Sequence, residues 1–120
     1  MKKILIIEDE VTLNDSLKLA LKSAGFQVVQ AYNGEEAVTK AVDNGFDVIL
    51  LDLIMPVKDG FEFLDEYLQK AGNPAPILVL TNLSDFGSQM KTYKKGIVSY
   101  MIKANVTLEE IVKKVTSLVM

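Results

Sequence analysis

The chain has 120 residues, 49% hydrophobic and 24% charged, with a formal net charge of -3, which suits one ordinary core and excludes a disordered chain. The acid excess argues against a nucleic-acid surface, and Lys94-Lys95 and Lys113-Lys114 read as solvated helix surface. Cysteine and histidine are both absent, which removes disulfides, thiol chemistry and the usual general base, and restricts any metal to hard ions such as magnesium, manganese or calcium.

The first segment, Ile4 to Ile7, is a short apolar run that reads as a strand buried on both faces. It is too short for a signal-peptide core, and no run approaches the roughly 18 apolar residues of a membrane span, so a cytoplasmic location is expected. Leu13, Leu17, Leu21 and Ala24 then recur at helical spacing, ending at Gly25. Val28 to Ala31 is a second strand, mixed in polarity as edge strands are. Asn33 and Glu36 form a capping-box pattern before a helix striped by Ala37, Val38, Ala41 and Val42 and ended by Gly45.

Val48 to Leu51 is a third strand, and Phe61, Leu64, Leu68 and Ala71 stripe a third helix that ends at Gly72. Ile77 to Leu80 is a fourth strand. From Ser84 to Lys95 the helical pattern is weakest, because Gly87 lowers its propensity; it is expected to be the most mobile element, with Phe86, Met90 and Tyr93 turned to the core. Gly96 follows, and each of the four glycines sits where a left-handed helix cap favours glycine. Tyr100 to Ile102 is a second mixed strand. Thr107 and Glu110 form another capping box, before the stripe Leu108, Ile111, Val112, Val115, Leu118 and Val119.

Five β-then-α units in one domain over residues 1–120 predict an α/β fold, a parallel sheet sandwiched between two helix layers. Right-handed crossovers favour the flavodoxin-like strand order 2-1-3-4-5. In such sheets the site lies beyond the carboxyl ends of the strands. Glu8, Asp9 and Glu10 follow the first strand, Asp52 the third, Thr81 the fourth and Lys103 the fifth; only Tyr32 and Asn33 follow the second. The predicted order therefore gathers one hydroxyl, one ammonium and several carboxylates in a single crevice.

Two carboxylates about 4 Å apart repel by about 4 kcal/mol at an effective dielectric near 20. Glu8, Asp9 and Asp52 with only Lys103 opposite leave an excess of negative charge, so either a carboxyl group stays protonated or a divalent cation binds. Few protein carboxylates with waters completing the shell is the magnesium pattern. A nearby hydroxyl and ammonium are what a phosphoryl group uses for its remaining oxygens.

The run Asp52-Leu53-Ile54-Met55-Pro56-Val57-Lys58-Asp59-Gly60 resembles the D-x-x-M-P-x-x-D-G signature of response-regulator receiver domains, the partners of histidine kinases. Glu8-Asp9 resembles their acidic pair, Thr81 their Ser/Thr, Tyr100 their switch aromatic and Lys103 their active-site lysine. The resemblance covers the whole chain. It implies phosphoryl transfer from a kinase or phosphotransfer-protein histidine onto Asp52, with Mg2+ (Mn2+ as substitute) held by Asp9, Asp52, the Ile54 carbonyl and Glu8, directly or through water. Lys103 and Thr81 would bind phosphoryl oxygens. An inward shift of Thr81 would be coupled to burial of Tyr100, remodelling the face of the fourth helix, fifth strand and fifth helix. Such a protein catalyses its own phosphorylation without being a conventional enzyme. In the family the residues two after the acceptor and two after the Ser/Thr tune hydrolysis; here both, Ile54 and Leu83, are apolar, which predicts a phosphorylated state lasting hours.

Two positions depart from the family pattern. Ala104 follows Lys103 where proline is usual, predicting a trans peptide or an altered loop. Asn82 follows Thr81 where a small residue is common, and is expected to narrow the site or hydrogen-bond within it. A flavin- or nucleotide-binding reading fails because Glu8-Asp9-Glu10 would repel a phosphate after the first strand. A Toprim-type nuclease reading fails because Ile54 stands where its D-x-D motif needs an acid. A phosphorylation-independent receiver-like scaffold is the alternative.

The sequence ends at Val119-Met120 with the last helix, which fits a stand-alone regulator acting on a protein target or a receiver lacking its output domain. A monomer or weak phosphorylation-linked dimer is expected, with no direct nucleic-acid or membrane partner. Kinase specificity is expected on first-helix surface residues such as Asn14, Asp15 and Lys18.

Overall fold

A computed structural model describes residues 1–119; Met120 lies outside them. Five strands alternate with five helices: β1 (Lys3–Ile7), α1 (Val11–Ser23), β2 (Gln27–Ala31), α2 (Gly34–Asp43), β3 (Val48–Leu51), α3 (Gly60–Lys70), β4 (Ile77–Thr81), α4 (Phe86–Lys94), β5 (Ser99–Ile102) and α5 (Leu108–Val119), with a 3₁₀ turn at Lys103–Asn105. The strands form one parallel sheet in the order β2-β1-β3-β4-β5. Fold class and strand order are as the sequence predicts.

Alternation along the strands divides the core in two. Ile4, Ile6, Val48, Leu50, Leu78 and Leu80 pack with Leu17 and Leu21 of α1 and Ile111 and Val115 of α5. Leu5, Ile7, Ile49, Leu51, Ile77 and Val79 point the other way, onto Ala37, Val38, Ala41, Phe63, Leu64 and Tyr67 of α2 and α3. Each such Leu or Ile contributes roughly 1.5–3 kcal/mol through burial. β3 and β4 are buried throughout, whereas β5 is half-buried along its whole length, as an edge strand is.

Helix ends repeat the predictions only in part. Gly25 and Gly96 have φ of +97° and +91°, the left-handed conformation expected after α1 and α4. Gly45 and Gly72 do not, because α2 and α3 end on extended residues, Asn44 and Ala71. The Thr107–Glu110 box is complete, with Glu110 N donating to Thr107 Oγ1 and Thr107 N to Glu110 Oε1. At α2 only half forms: Asn33 accepts from Glu36 N, but the Glu36 carboxylate accepts from Tyr32 N and pairs with Lys40. A further complete box, Asp59 with Glu62, opens α3.

The predicted inward face of α4 is wrong. Phe86, Met90 and Tyr93 are 76%, 40% and 46% exposed, and the buried residue of this helix is Thr92. The spacing fixes a stripe, but the helix turns its other side, through Ser88, Gln89 and Thr92, toward the sheet. With so little burial α4 is the most thinly packed of the five helices.

Candidate functional site

The carboxyl ends of β1, β3, β4 and β5 deliver their polar residues to one crevice. β1 is followed by Glu8, 2% exposed, then Asp9, which faces solvent. Asp52 follows β3 and is buried; its N–H extends the β1–β3 ladder by donating to the Ile7 carbonyl at 3.0 Å. Thr81 ends β4 with no exposed surface, and Lys103 opens the 3₁₀ turn after β5.

Lys103 lies at the centre of the charge arrangement. Its Nζ is 2.6 Å from Glu8 Oε1 and 2.8 Å from Asp52 Oδ2. The other oxygen of each carboxylate takes a backbone N–H, Glu8 Oε2 from Glu10 at 3.0 Å and Asp52 Oδ1 from Ile54 at 3.2 Å. Burial pushes the Glu8 carboxyl up to about 7, against the opposing hydrogen bonds from Lys103 and Glu10. For Lys103, burial acts to lower the pKa, but the bonds to Asp52 and Glu8 outweigh it and the ammonium is held above its ordinary value. Burial thus favours the neutral form of Glu8, while Lys103 and the Glu10 N–H favour the charged one.

One oxygen from each of Glu8, Asp9 and Asp52 falls within 4.8 Å of the others. Ligand oxygens on one octahedral magnesium are separated by about 3 to 4 Å, given bonds of about 2.0–2.1 Å, so a small closure makes the three fit. The donor set is all oxygen, as a hard cation requires.

Thr81 Oγ1 accepts from the Leu83 N–H at 3.4 Å, a long bond that leaves its hydroxyl proton free to be donated. Tyr100, half-buried on β5, donates its hydroxyl to the Leu83 carbonyl. Burial, with Asp85 and Asp52 adding repulsion to the ionised form, pushes the Tyr100 phenol up to about 12. Thr81 and Tyr100 therefore meet at one residue, Leu83. Ile54 is 57% exposed at the mouth of the crevice, and Leu83 is partly buried against the α2–α3 side of the core.

Both departures from the family pattern lie at the rim. The Lys103–Ala104 peptide is trans, the described residues containing no cis bond, and the local alteration is the 3₁₀ turn. Asn82 bonds across to the neighbouring loop: its Oδ1 accepts from the Ala104 N–H at 3.1 Å.

Two residues named in the sequence have supporting roles that the sequence reading did not assign. Asn14, expected at the surface of α1, is fully buried: its Nδ2 donates to the carbonyls of Glu8 (2.9 Å) and Ala31 (3.1 Å), and its Oδ1 accepts from Gln30 Nε2 (2.9 Å). It fixes the backbone that carries the acidic pair. The signal was its spacing, three before Leu17 and seven before Leu21 on the buried face. The second is Gly60, where an added Cβ would lie 2.5 Å from the Asp52 carbonyl oxygen and 2.6 Å from Leu53 Cα. Only glycine lets the start of α3 approach the loop after β3 so closely.

The sequence model of the response regulator receiver domain family matches residues 4–116. The transcriptional regulatory protein ResD of Bacillus subtilis (strain 168) is 32% identical over 101 residues, 84% of this chain and 41% of the relative. PrrA of Mycobacterium tuberculosis (strain ATCC 25618 / H37Rv) is 33% identical over 116 residues, 97% of this chain and 49% of the relative. Relative to these two, the chain spans half the length or less. Among solved structures, the response regulator protein TrrA of Thermotoga maritima, in complex with Mg(2+)-BeF, superposes with a TM-score of 0.85 at 32% identity, covering 98% of this chain and 99% of that one. The chain belongs to the response regulator receiver domains of two-component systems.

Proposed function

We propose that Asp52 accepts a phosphoryl group from a phosphohistidine of a histidine kinase or histidine phosphotransfer protein, in a Mg2+-dependent reaction. The observation that carries this reading is the hold on Asp52: one oxygen on the Lys103 ammonium, the other on the Ile54 N–H, with Glu8 and Asp9 beside them. The Mg(2+)-BeF complex of TrrA supports it by likeness, since fluoroberyllate stands in for a phosphoryl group.

An Asp52 oxygen attacks phosphorus as the P–N bond breaks; the bonding electron pair leaves with the imidazole nitrogen, which takes up a proton, and an aspartyl phosphate remains. Glu8, Asp9, Asp52 and the Ile54 carbonyl would hold Mg2+ or Mn2+, which when bound neutralises charge on the transferring group. Lys103, already 2.8 Å from Asp52, turns to a phosphoryl oxygen, and the Thr81 hydroxyl donates to another.

The new charge also biases a switch. Thr81 moving toward the phosphoryl group pulls on Leu83, whose carbonyl holds Tyr100, and Tyr100 borders α4 through a tilted contact with Tyr93 at 6.4 Å between ring centroids. The α4-β5-α5 face then changes shape for a downstream protein or an output domain. A cytoplasmic setting, and a monomer or weak phosphorylation-linked dimer, go with this reading; among the described residues no helix is long and apolar enough to cross a membrane.

The test is incubation with Mg2+ and acetyl phosphate, followed by mass spectrometry. A gain of one phosphoryl group in the parent and none in Asp52→Asn is expected. No gain in either would favour a phosphorylation-independent scaffold.

A further inference from the structure

The β4–β5 ladder ends where Thr81 pairs with Ile102. Just beyond it, Asn82 Oδ1 accepts from the Ala104 N–H at 3.1 Å. A side chain thus continues the cross-strand bonding past the last backbone pair, where the two loops diverge around the crevice. The residues it joins are the immediate neighbours of Thr81 and Lys103. They are also the two departures from the family pattern, and they depend on each other: a proline at 104 has no N–H to donate, and an alanine or glycine at 82 has no side-chain acceptor.

The turn that carries Lys103 needs such a tie. Residues Lys103–Asn105 form a single 3₁₀ turn with no buried residue, so no core contact fixes its backbone. Its lysine has a flexible four-carbon stem, yet the ammonium must meet Glu8 and Asp52 at once. Where that ammonium sits depends on where the turn is held.

We propose that Asn82 is a positioning residue: through Ala104 it fixes the Lys103 turn against the end of β4, so that the Lys103 ammonium and the Thr81 hydroxyl approach a phosphoryl group on Asp52 as one unit. The functional part rests on Asp52 being the phosphoryl acceptor; the tie itself does not. Asn82 and Ala104 are exposed, so the effect falls on the site and hardly on global stability.

The experiment compares the parent with Asn82→Ala, Asn82→Leu, which keeps bulk without an acceptor, and Asn82→Asp, which keeps the acceptor. NMR follows exchange of the Ala104 amide, and titrations give affinity for Mg2+ alone and for fluoroberyllate in the presence of Mg2+. Exchange at Ala104 is expected to quicken in the Ala and Leu variants and stay slow in Asn82→Asp. Fluoroberyllate affinity is expected to fall about two- to tenfold in Ala and Leu alike, the scale of one neutral hydrogen bond, with Mg2+ affinity unchanged. A protected Ala104 amide in Asn82→Ala, exchange as fast in Asn82→Asp as in Asn82→Ala, an affinity restored by Leu, or an equal loss of Mg2+ affinity would each overturn the role. A parent that binds no fluoroberyllate refutes the Asp52 reading and the positioning role with it, while amide exchange still decides whether the tie exists.

Discussion

Lys103 and Glu8 form a pair at 2.6 Å, and the same ammonium serves Asp52, so one cation balances two buried carboxylates from different strands. Replacing it by methionine leaves those carboxylates adjacent without compensation. Lys103→Met is expected to lose on the order of 2 kcal/mol of unfolding free energy at pH 8, less than a fully buried broken pair because Glu8 can take up a proton. Urea melts measure this. Millimolar Mg2+ should recover more stability in the variant than it adds to the parent, since the ion replaces the missing charge.

Asn14 supports the same region from behind. Asn14→Ala strips the Glu8 carbonyl of its Asn14 bond and leaves a hole under β1 and β2, and is expected to cost about 1–3 kcal/mol. A urea melt within 0.5 kcal/mol of the parent, a margin typical of plain surface positions, would contradict this role.

If Asp52 is phosphorylated as proposed, the lifetime of that state is expected to follow from Ile54 and Leu83, whose side chains carry no polar group to orient a water molecule. Self-dephosphorylation is expected to take hours, roughly, and a substituted carboxamide should supply the missing acceptor. Because Ile54 is 57% exposed, Ile54→Gln should fold normally and shorten the half-life on the order of tenfold. Decay of phosphate label from the purified protein measures both; a parent half-life of seconds would refute the first.

Val57 is the single non-glycine residue with positive φ, +68°, among the described residues. The Lys58 N–H donates to the Pro56 carbonyl across it at 2.8 Å, which makes a strained three-residue turn. A left-handed β-branched residue costs about 1–2 kcal/mol, and Val57 is 74% exposed, so little packing is lost on trimming it. Val57→Gly is therefore expected to raise stability by about 0.5–1 kcal/mol after the added chain entropy, a shift readable in a thermal melt.

Tyr100 gives a pH dependence of known sign. Its phenol titrates near 10 when unfolded and at about 12 when folded. Its share of stability is full below pH about 10 and is lost as pH rises toward 12, because the unfolded chain releases the proton first. Lysine pairs also weaken there, so the test is subtraction: between pH 10 and 12, roughly, Tyr100→Phe should lose less stability than the parent.

The three central strands were legible because apolar runs of four or five residues have no other place than between helix layers, and the crossover rule then ordered them. The strand-end rule likewise brought Glu8, Asp52, Thr81 and Lys103 together before any geometry was known. What failed were questions of facing. A helical stripe at Phe86, Met90 and Tyr93 does not say which side meets the sheet, and an asparagine in α1 reads as solvated until Leu17 and Leu21 are seen to share its face. Pairs such as Lys95–Asp65, thirty residues apart, depend wholly on packing and left no mark in the sequence.

The sparse burial of α4 also sets how the molecule opens. Thr92 is its buried residue, whereas β3 and β4 are buried throughout. Amides of α4 are therefore expected to exchange through local fraying far below the global unfolding free energy, and those of β3 and β4 only when the whole domain unfolds. On the proposed function, the backbone expected to be most stable holds the reacting groups, and the helix expected to be least stable lies on the face proposed to change.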